Sequence, residues 1–414
     1  MALYYMGGAT GMGMAPLAAF LADGGNSVSG FDDTPDPDVA AYLLKHSVPV
    51  GAMARDLSAF DAVVISSALK RRRGELEKLG AKRILLRGEC WAQVCAKRRL
   101  AAIVGSHGKS TVSAMCAHAI GKFGLDAGWL VGAVPNSIEM HRHCGEGKIL
   151  FSEIDESDGT IENFSPEFTA ALNADLDHTD TYADWRKLGE MFRRLFSRTK
   201  RLVVYPQSDA FLAEIAAEFP QKALPVQTFE DFNKTNAALA RALLERVFDT
   251  ALPPNTFDDF AGTRRRQETI FAGENLTVMA DYAHHPSEVS AFLKFFAGKF
   301  PDARRIIVFQ PHRYSRTKTF ARDFAEIFDS CAETAAVVIA PVYAASEPFD
   351  PEGTSEKIAC LCKNKSIKLA KDGEVFNTVQ SLINDGGKCA VAFVGAGDAY
   401  FGAKKFFKDT KCQK

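Results

Sequence analysis

A short glycine-rich loop is the feature that most constrains how this chain can fold. The loop reads Gly-Ser-His-Gly-Lys-Ser-Thr over residues 105–111, follows the apolar run 100–104 and precedes the proline-free stretch 112–120, which has helical character. A buried strand, a tight glycine turn and a helix N-terminus direct several backbone N–H groups and the positive end of a helix dipole at one anion. The sequence therefore predicts a phosphate-binding loop between a buried strand and a helix.

The side chains of this loop suit a nucleoside triphosphate with its magnesium ion. Lys109 is predicted to place a positive charge at the β and γ phosphates, and the Ser110 hydroxyl to reach Mg²⁺. The other loop residues predicted to surround the phosphates are Gly105, Ser106, His107, Gly108 and Thr111. The loop is shorter than the pattern G-x-x-x-x-G-K-[ST], because Ile103 stands at the position of its first glycine. A glycine-rich turn with a surface lysine is the alternative that the local sequence leaves open.

Length and composition bound the class of protein. The 414 residues suggest about three domains, at roughly 150 residues each. Fifty basic residues against 51 acidic ones leave a net charge of −1, so we expect neither a nucleic-acid nor a membrane-surface partner. No apolar stretch is long enough to span a bilayer, and the first residues lack the features of a signal peptide. The nine scattered cysteines favour reduced thiols in the cytoplasm.

The first segment, predicted as a domain over residues 1–98, alternates short apolar runs with helix-like stretches. This rhythm is typical of a parallel, doubly wound sheet. A glycine-rich turn at 7–13 follows the first strand, and an acid ends the second strand about twenty residues later, as in a Rossmann-type crevice for a diphosphate and a ribose. The candidate substrate-binding residues at these strand ends are Gly8, Gly11, Asp32, Ser66 and Ser67. The glycine spacing differs from G-x-G-x-x-G, so a dinucleotide is not the only candidate ligand.

The second segment, predicted over residues 99–259, carries acidic residues at the ends of two strands. The strand at 149–152 leads into Glu153 and further acids, and the strand at 168–172 leads into Asp177 and His178. A phosphate-loop protein needs an acid at the tip of a neighbouring strand to hold magnesium. Glu153, Asp177 and His178 could therefore all face the nucleotide phosphates, and so many like charges would be costly without a cation.

The third segment, predicted over residues 260–414, contains four strands that end in polar or glycine-rich loops. Two of these loops hold the candidate residues Asp281, Tyr282, His284, His312, Arg313 and Arg316. Two arginines three positions apart at the start of a helix can grip a carboxylate or a phosphate in fork geometry. A lattice of surface salt bridges is the alternative. The neighbouring histidines and the phosphate-binding loop favour anion binding.

With these loops in view, the chain resembles the Mur ligase family over its whole length. Within that family it is most similar to the members that add L-alanine to UDP-N-acetylmuramate. The resemblance rests on six sequence blocks that stand in the family's order. They are GSHGKST at 105–111, EIDESD at 153–158, NADLDH at 173–178, FAGTRRRQE at 260–268, ADYAHHPSE at 280–288 and QPHRYSRT at 310–317.

The resemblance implies an α/β protein of three domains. It has an N-terminal Rossmann-like domain for the UDP-sugar, a central P-loop ATPase-type domain with a parallel or mixed sheet, and a C-terminal Rossmann-like domain. The implied reaction joins L-alanine to the lactyl carboxylate of UDP-N-acetylmuramate through an acyl phosphate, a step of peptidoglycan precursor synthesis in the cytoplasm. The implied cofactors are ATP and Mg²⁺. The oligomeric state stays open between a monomer and a homodimer.

The resemblance also implies a role for each matching residue. Lys109 contacts the γ-phosphate, Ser110 and Glu153 hold one magnesium ion, and His178 helps to hold a second. Asn233 and Asn236 match the adenine-side motif. The residues implied near the nucleotide are Asp281, Arg265 and Arg266, and those implied around the substrate carboxylates are Tyr282, His312, Arg313 and Arg316.

Three positions depart from the family's pattern. Met6 stands at the first glycine of the N-terminal glycine loop, Phe232 replaces a histidine before the adenine motif, and Ala280 replaces the first of two aspartates. None of these departures removes a phosphate or metal ligand. The alternatives are a ligase for another amino acid or a recycled peptide, and a nucleotide-sugar-binding relative without catalysis. A dehydrogenase is disfavoured by the lysine in the loop.

Overall fold

The computed structural model of the chain describes residues 1–156, 159–176, 181–331, 335–345, 347–364, 367–383 and 387–411. These residues form two compact units, Met1–Thr263 and Arg264–Lys414. The first unit contains two sheets and the second contains one. None of the described helices is both long and apolar enough to cross a membrane.

The first sheet has five parallel strands in the order β3-β2-β1-β4-β5. Its elements are β1 (Leu3–Gly7), α1 (Met14–Asp23), β2 (Ser27–Phe31), α2 (Pro37–Lys45), β3 (Val50–Gly51), β4 (Ala62–Ile65), α3 (Arg73–Lys78), β5 (Ile84–Leu86) and α4 (Arg87–Cys95). Pro37 suits the first position of helix α2, and the Asp36 carboxylate caps that helix by accepting from two backbone N–H groups. The strand order reverses between β1 and β4, which is where ligands bind in doubly wound sheets.

The second sheet is mixed and has seven strands in the order β12-β11-β10-β6-β9-β7-β8, of which only the β7–β8 pair is antiparallel among the described residues. Its elements are β6 (Arg99–Val104), α5 (Lys109–Lys122), β7 (Ala127–Leu130), β8 (His141–Arg142), β9 (Ile149–Glu153), β10 (Phe168–Ala171), α6 (Trp185–Arg198), β11 (Leu202–Pro206), α7 (Ala210–Ala216), β12 (Ala223–Val226) and α8 (Phe232–Phe248). Strand β6 leads into the glycine-rich loop and lies between β10 and β9.

One hydrophobic core joins the first two sheets. It includes Phe20 of α1 and Trp91 of α4 together with Leu100 of β6 and Phe192 of α6. The Phe20 and Trp91 rings meet edge to face with centroids 5.2 Å apart, and the Trp91 indole donates a 2.8 Å hydrogen bond to the hydroxyl of Ser152 in β9. This shared core explains why both sheets belong to one compact unit.

The second unit has one six-stranded sheet in the order β13-β14-β18-β15-β16-β17, with β13 antiparallel at one edge. Its elements are β13 (Glu268–Ala272), β14 (Leu276–Asp281), α9 (Pro286–Lys299), β15 (Arg304–Phe309), α10 (Tyr314–Cys331), β16 (Ala335–Ile339), α11 (Ser355–Leu361), β17 (Lys368–Leu369), α12 (Val375–Ile383), β18 (Cys389–Val394) and α13 (Ala399–Lys411). Separate cores cover the two faces of this sheet, so its central strands read as continuous apolar runs.

The predicted α/β class and its parallel or mixed sheets are confirmed. The four strands predicted in the third segment are parallel neighbours, so their loops share one sheet edge as expected. The sequence reasoning missed β3, β8 and β17, which have only two residues each, and also β7, β12 and β13. The two-residue strands are too short to show a periodic pattern, and β12 and β13 lie at sheet edges. Strand β7, in contrast, is a buried apolar run that could have been recognised.

Candidate active site

The glycine-rich loop lies between strand β6 and helix α5, as the sequence predicts. Gly105 has a φ of +133° and Gly108 a φ of +82°, both in the region that favours glycine. A Cβ on Gly105 would also lie 3.0 Å from the backbone N and O of Asn173. Helix α5 begins at Lys109, so the N–H groups of its first turn, which lack partners within the helix, lie next to this turn. The backbone conformation therefore suits an anion.

Residues that follow strand β10 brace this loop. The Asn173 side chain accepts from the backbone N–H of His107 at 2.9 Å and donates to its carbonyl at 3.0 Å. The Ser106 hydroxyl donates to the Asp175 carbonyl and accepts from the Asp175 N–H, both at 2.9 Å, and the His107 ring lies 2.8 Å from the Asp175 carboxylate. Asn173 and Asp175 were not predicted as site residues. Their position directly after a strand next to β6 was the available signal.

Lys109 is held over the loop by a buried ion pair. Its ammonium donates to the Gly105 carbonyl at 2.7 Å and lies 3.0 Å from the Glu156 carboxylate, with 15% and 3% of the two side chains exposed. Burial lowers the pKa of Lys109, but the charges of Glu156 and Asp155 outweigh it, so the pKa lies above its ordinary value. Burial raises the pKa of Glu156 to about 7, against the opposite effect of Lys109. Glu156 was counted among the acids after strand β9, but its pairing with Lys109 was not predicted from the sequence.

Glu153 fits a magnesium ligand. It ends strand β9 directly opposite Ile103 of β6, so it lies beside the loop, and Ser110 is in the first turn of α5. One carboxylate oxygen of Glu153, Oε2, is buried and has no hydrogen-bond partner within the described part of the chain. A buried oxygen without a partner is costly unless a cation or a donor satisfies it, and Mg²⁺ prefers carboxylate and hydroxyl oxygens. His178, the third predicted metal ligand, and Asp177 lie outside the described residues.

The two asparagines of the predicted adenine motif lie in the first turns of helix α8, which begins at Phe232. Asn236 is buried, and its Oδ1 would lie 3.2 Å from a Cβ on Gly108, so it packs against the phosphate-binding loop itself. The backbone N–H of Asn233 donates to the Asp231 carboxylate, which caps the helix. Of the pair, the structure thus brings Asn236 to the loop.

The predicted residues of the first sheet gather where β1, β2 and β4 end. Gly8 has a φ of +73°, and a Cβ there would lie 3.0 Å from the Ser66 hydroxyl. Gly11 closes the turn by donating its N–H to the Gly8 carbonyl. The Asp32 carboxylate accepts from the backbone N–H and the hydroxyl of Thr10, at 2.9 and 2.6 Å, so it anchors this turn. Ser67, in contrast, begins an exposed turn of 3₁₀-helix at Ser67–Arg72.

Arg87 is a candidate that sequence reasoning missed. It is the first residue of α4, and its side chain packs against Gly13: a Cβ on Gly13 would lie 3.0 Å from the Cδ of Arg87. Its guanidinium is 3.4 Å from the Asp155 carboxylate. An arginine therefore lies between the glycine turn of the first sheet and the acids after β9. Its position directly after strand β5 was a signal for it.

In the second unit, Asp281 ends strand β14 and organises the loop before β13. Its carboxylate accepts from the backbone N–H groups of Gln267 and Ala283 at 2.7 and 2.8 Å. Burial raises the pKa of Asp281 to about 6, against the lowering effect of the Arg266 charge. Arg265 has a φ of +63°, and its guanidinium lies 4.9 Å from the ring centroids of both Tyr400 and Phe401.

The aromatic and histidine side chains predicted after β14 and β15 meet at one edge of this sheet. The rings of His284 and His312 are 5.6 Å apart, and the His284 ring lies 5.3 Å from Tyr282. Burial, assisted by the charges of Arg316 and Arg313 and by His284, lowers the pKa of His312 to about 3. The Nδ1 of His312 is buried without a hydrogen-bond partner in the described residues. The imidazole is therefore neutral, and its Nδ1 has hydrogen-bonding capacity that the described residues do not use.

The predicted arginine pair lies at the start of helix α10. Arg313 has a φ of +70° directly before the helix, and its Nε lies 2.6 Å from the Glu347 carboxylate. Arg316 is one turn further on and only 9% exposed. Two guanidinium groups beside His312 make this strand end suitable for carboxylate or phosphate groups.

The comparisons with known proteins agree with this arrangement. The chain matches three family models along its length, described as the catalytic domain of the Mur ligase family at residues 4–99, the Mur ligase middle domain at 103–252 and the glutamate ligase domain of Mur ligases at 265–398. It is 31% identical over 438 residues to the UDP-N-acetylmuramate–L-alanine ligase of Renibacterium salmoninarum, which covers 94% of this chain and 92% of that protein. The chain belongs to the Mur ligase family.

Other Mur ligases support the same membership. The enzyme of the same name from Rubrobacter xylanophilus is 30% identical, covering 95% of this chain and 97% of that protein. Among solved structures, the UDP-N-acetylmuramate-alanine ligase of Thermotoga maritima covers all of both chains with a TM-score of 0.80 at 22% identity. A murein peptide ligase from Psychrobacter arcticus gives a TM-score of 0.71 at 18% identity, covering 99% of this chain and 98% of that one. These structures show that the chain has the three-domain Mur ligase fold.

Proposed function

We propose that this chain is an ATP-dependent ligase that joins L-alanine to the lactyl carboxylate of UDP-N-acetylmuramate. The near-full-length relatives at 30% and 31% identity carry that name, which supports the choice of substrates. The observation that carries the use of ATP is the glycine loop, which has two glycines at positive φ and the buried Lys109 held over it. In this proposal ATP is converted to ADP and phosphate for each amide bond formed.

The proposed chemistry explains why cationic groups are needed at the loop. A carboxylate is a poor electrophile, so it first takes the γ-phosphoryl group of ATP and becomes an acyl phosphate. The amino group of L-alanine then attacks the acyl carbon, and phosphate leaves as the amide forms. Two anions must approach each other in the first step. Lys109 and the N-terminus of helix α5 reduce that repulsion and stabilise charge on the phosphoryl oxygens.

Ser110 and Glu153 would hold Mg²⁺ in this proposal, since Glu153 offers a buried oxygen without a partner in the described structure. When bound, the ion neutralises phosphate charge.

Lys109 must change partners when a phosphate arrives. Its ammonium contacts Glu156 and the Gly105 carbonyl, and a phosphate would compete with both contacts. Because the pKa of Glu156 is already about 7, that carboxyl group can take up a proton instead of remaining a buried, unpaired charge. We therefore expect nucleotide binding to be coupled to proton uptake near neutral pH.

The remaining candidate residues would bind the other substrates. Gly8, Asp32 and Ser66, at the ends of neighbouring strands, would contact the UDP-sugar, and Arg87 beside them is suited to its diphosphate. In the second unit, His312 and the arginine pair would contact substrate carboxylates. The support for these roles is the position of each residue at, or shortly after, the carboxyl end of a strand.

A phosphate-release assay tests the proposal. Purified chain, ATP, Mg²⁺ and UDP-N-acetylmuramate are combined with single amino acids, and each component is omitted in turn. We expect release only with all components present and the fastest release with L-alanine. If phosphate is released with another amino acid or with a peptide but not with L-alanine, that amine replaces L-alanine as the proposed substrate. If phosphate release does not require the nucleotide sugar and an amine together, the chain is better described as a binding protein without catalysis.

A further inference from the structure

Two histidines and one aspartate meet outside the site described above. Asp23 ends helix α1, His46 follows helix α2 and His141 lies in strand β8 of the second sheet. The Nε2 of His141 lies 3.0 Å from the Asp23 carboxylate, and the Nδ1 of His46 lies 3.2 Å from both oxygens of the same carboxylate. One donor atom from each residue lies within 4.8 Å of the other two. The cluster thus joins elements of the first two sheets.

The spacing of these atoms is close to that of a coordination shell. Bonds of about 2.0 Å in a tetrahedral site place neighbouring ligand atoms about 3.3 Å apart. Two of the three separations in the cluster are 3.0 and 3.2 Å, so small side-chain rotations could bring the three donors to one ion. Two imidazoles and a carboxylate suit Zn²⁺ and related transition metals, whereas Mg²⁺ prefers oxygen ligands alone.

The surroundings of the cluster also suit a metal site. The hydroxyl of Tyr42 lies 2.5 Å from Nδ1 of His141, which would orient the ring so that Nε2 faces the ion. The His46 ring contacts the Asp23 carboxylate through Nδ1 and packs against the rings of Tyr42 and His141 at 4.9 and 4.7 Å, and its buried Nε2 has no hydrogen-bond partner in the part of the chain described. His141 is 1% exposed and His46 15%, whereas Asp23 is 37% exposed and leaves a path from solvent.

We propose that Asp23, His46 and His141 bind one divalent transition-metal ion of the zinc class, with Tyr42 orienting His141. The ion would tie helices α1 and α2 of the first sheet to strand β8 of the second. The proposal does not depend on the ligase activity. Sequence spacing gave no indication of the site, because His141 and Asp23 are 118 residues apart.

Zinc binding by the full-length chain tests this proposal. The protein is stripped with a chelator and titrated with Zn²⁺ in competition with a chromophoric chelator. The matched variants are His46→Asn, Asp23→Asn and, as a control, His143→Asn. His143 is near the cluster, and its ring packs on Phe20 at 4.9 Å, but it contributes no donor to the group of three.

We expect His46→Asn and Asp23→Asn to lose one tight zinc equivalent relative to the parent chain and to His143→Asn. The affinity at that site should fall by more than about 100-fold, because loss of a direct ligand exceeds the roughly 10- to 100-fold effect of an outer partner. Tyr42→Phe should show that smaller effect. Comparing the number of zinc ions bound per chain between the variants separates this site from zinc bound elsewhere, including at Glu153.

Thermal unfolding gives a second readout. Zn²⁺ should raise the melting temperature of the parent chain and of His143→Asn but not that of His46→Asn or Asp23→Asn. Asp23 is partly exposed, so its replacement by asparagine keeps the proposal testable if His46→Asn does not fold. Equal zinc stoichiometry and affinity in all variants would mean that the cluster is a hydrogen-bonded junction only, and would overturn the proposal.

Discussion

At the scale of single residues, buried charges at this site are compensated by side chains of the protein. Glu156 is paired with Lys109, and Asp155 lies 3.4 Å from Arg87. The acids after strand β9 were expected to need a cation because they repel one another. Two of them have protein cations, whereas Glu153 has a buried oxygen without a partner among the described residues. This difference separates the proposed metal ligand from its neighbours.

Replacing Lys109 with methionine should lower the rate of phosphate release by at least about 100-fold, because a charge that stabilises the phosphoryl group is lost. The variant is best made together with Glu156→Gln, so that Glu156 is not left as a buried carboxyl group without its partner. Lys122→Met is the matched control, because Lys122 lies in the last turn of the same helix and contacts Asp259 at the surface. Full activity of the Lys109 variant would contradict the assigned role.

His141 should make stability depend on pH. Burial lowers its pKa from 6.5 to about 4, while Asp23 and Glu139 raise it and His46 lowers it further. The folded pKa lies below the unfolded one, so the unfolded chain binds more protons between these values, and stability falls as the pH drops from about 6.5 to 4. The full effect is about 3 kcal/mol. Above about pH 6.5 this contribution is fully present.

Denaturant unfolding of the metal-free chain at pH 7, 5.5 and 4.5 checks this prediction. His141→Asn, which cannot titrate, should show a weaker loss of unfolding free energy over that interval. Equal losses in both proteins would mean that other groups cause the pH dependence.

At the level of elements, a glycine lies at each end of helix α5: Gly108 in the phosphate-binding loop before it and Gly124 after it. The two have similar backbone conformations but different surroundings. Gly108 has a φ of +82°, and a Cβ there would contact Asn236. Gly124, after helix α5, has a φ of +63°, but a Cβ there would meet no atom of the described residues within 4 Å. Both positions are strained for an L-residue, but only the first borders the proposed ligand site.

Gly108→Ala and Gly124→Ala should each cost about 1–2 kcal/mol of stability, because both force a side chain into the left-handed region. Only Gly108→Ala should weaken binding of ADP, since its Cβ would lie 3.2 Å from Asn236 Oδ1 and displace that side chain or the loop. Calorimetric titration with ADP measures the difference. Equal ADP affinity in the two variants would argue against binding of phosphate at this loop.

At the scale of the whole molecule, hydrophobic cores determine which parts fold together. The first unit contains a core that includes Phe20 and Trp91 from the first sheet and Phe192 from the second, whereas the second unit has cores of its own. The division into domains at 1–98, 99–259 and 260–414 stays a prediction. Because the first two sheets share a core, a fragment with only the first sheet would lose part of its apolar packing.

A fragment of residues 264–414 should fold cooperatively alone, because both faces of its sheet are covered by its own helices. A fragment of residues 1–98 should expose part of its apolar surface and unfold at a much lower temperature than the intact first unit. Circular dichroism during heating compares the fragments. Cooperative unfolding of 1–98 at the temperature of the intact unit would show that the shared core is unimportant for it.

Several local features could be predicted from sequence. The long strands, the loop at 105–111 and the polar residues after strand ends follow from apolar periodicity and from the backbone preferences of glycine, which act over a few residues. Glu153 was predicted to lie beside the loop because it stands at the end of a neighbouring strand. Arg87 and Asn173 also follow strands and could have been found by the same rule.

The α/β class, the phosphate-binding loop and the strand ends at which ligands bind could be recognised in the chain alone, because side-chain periodicity and the backbone preferences of glycine depend on residues close together in sequence. The folded molecule was needed to find that Glu156 pairs with Lys109, that Asn236 packs against Gly108, and that His141 meets Asp23 and His46. These contacts join residues that are distant along the chain. The first two form when the elements around the second sheet pack together, and the third forms only when the first two sheets share a core.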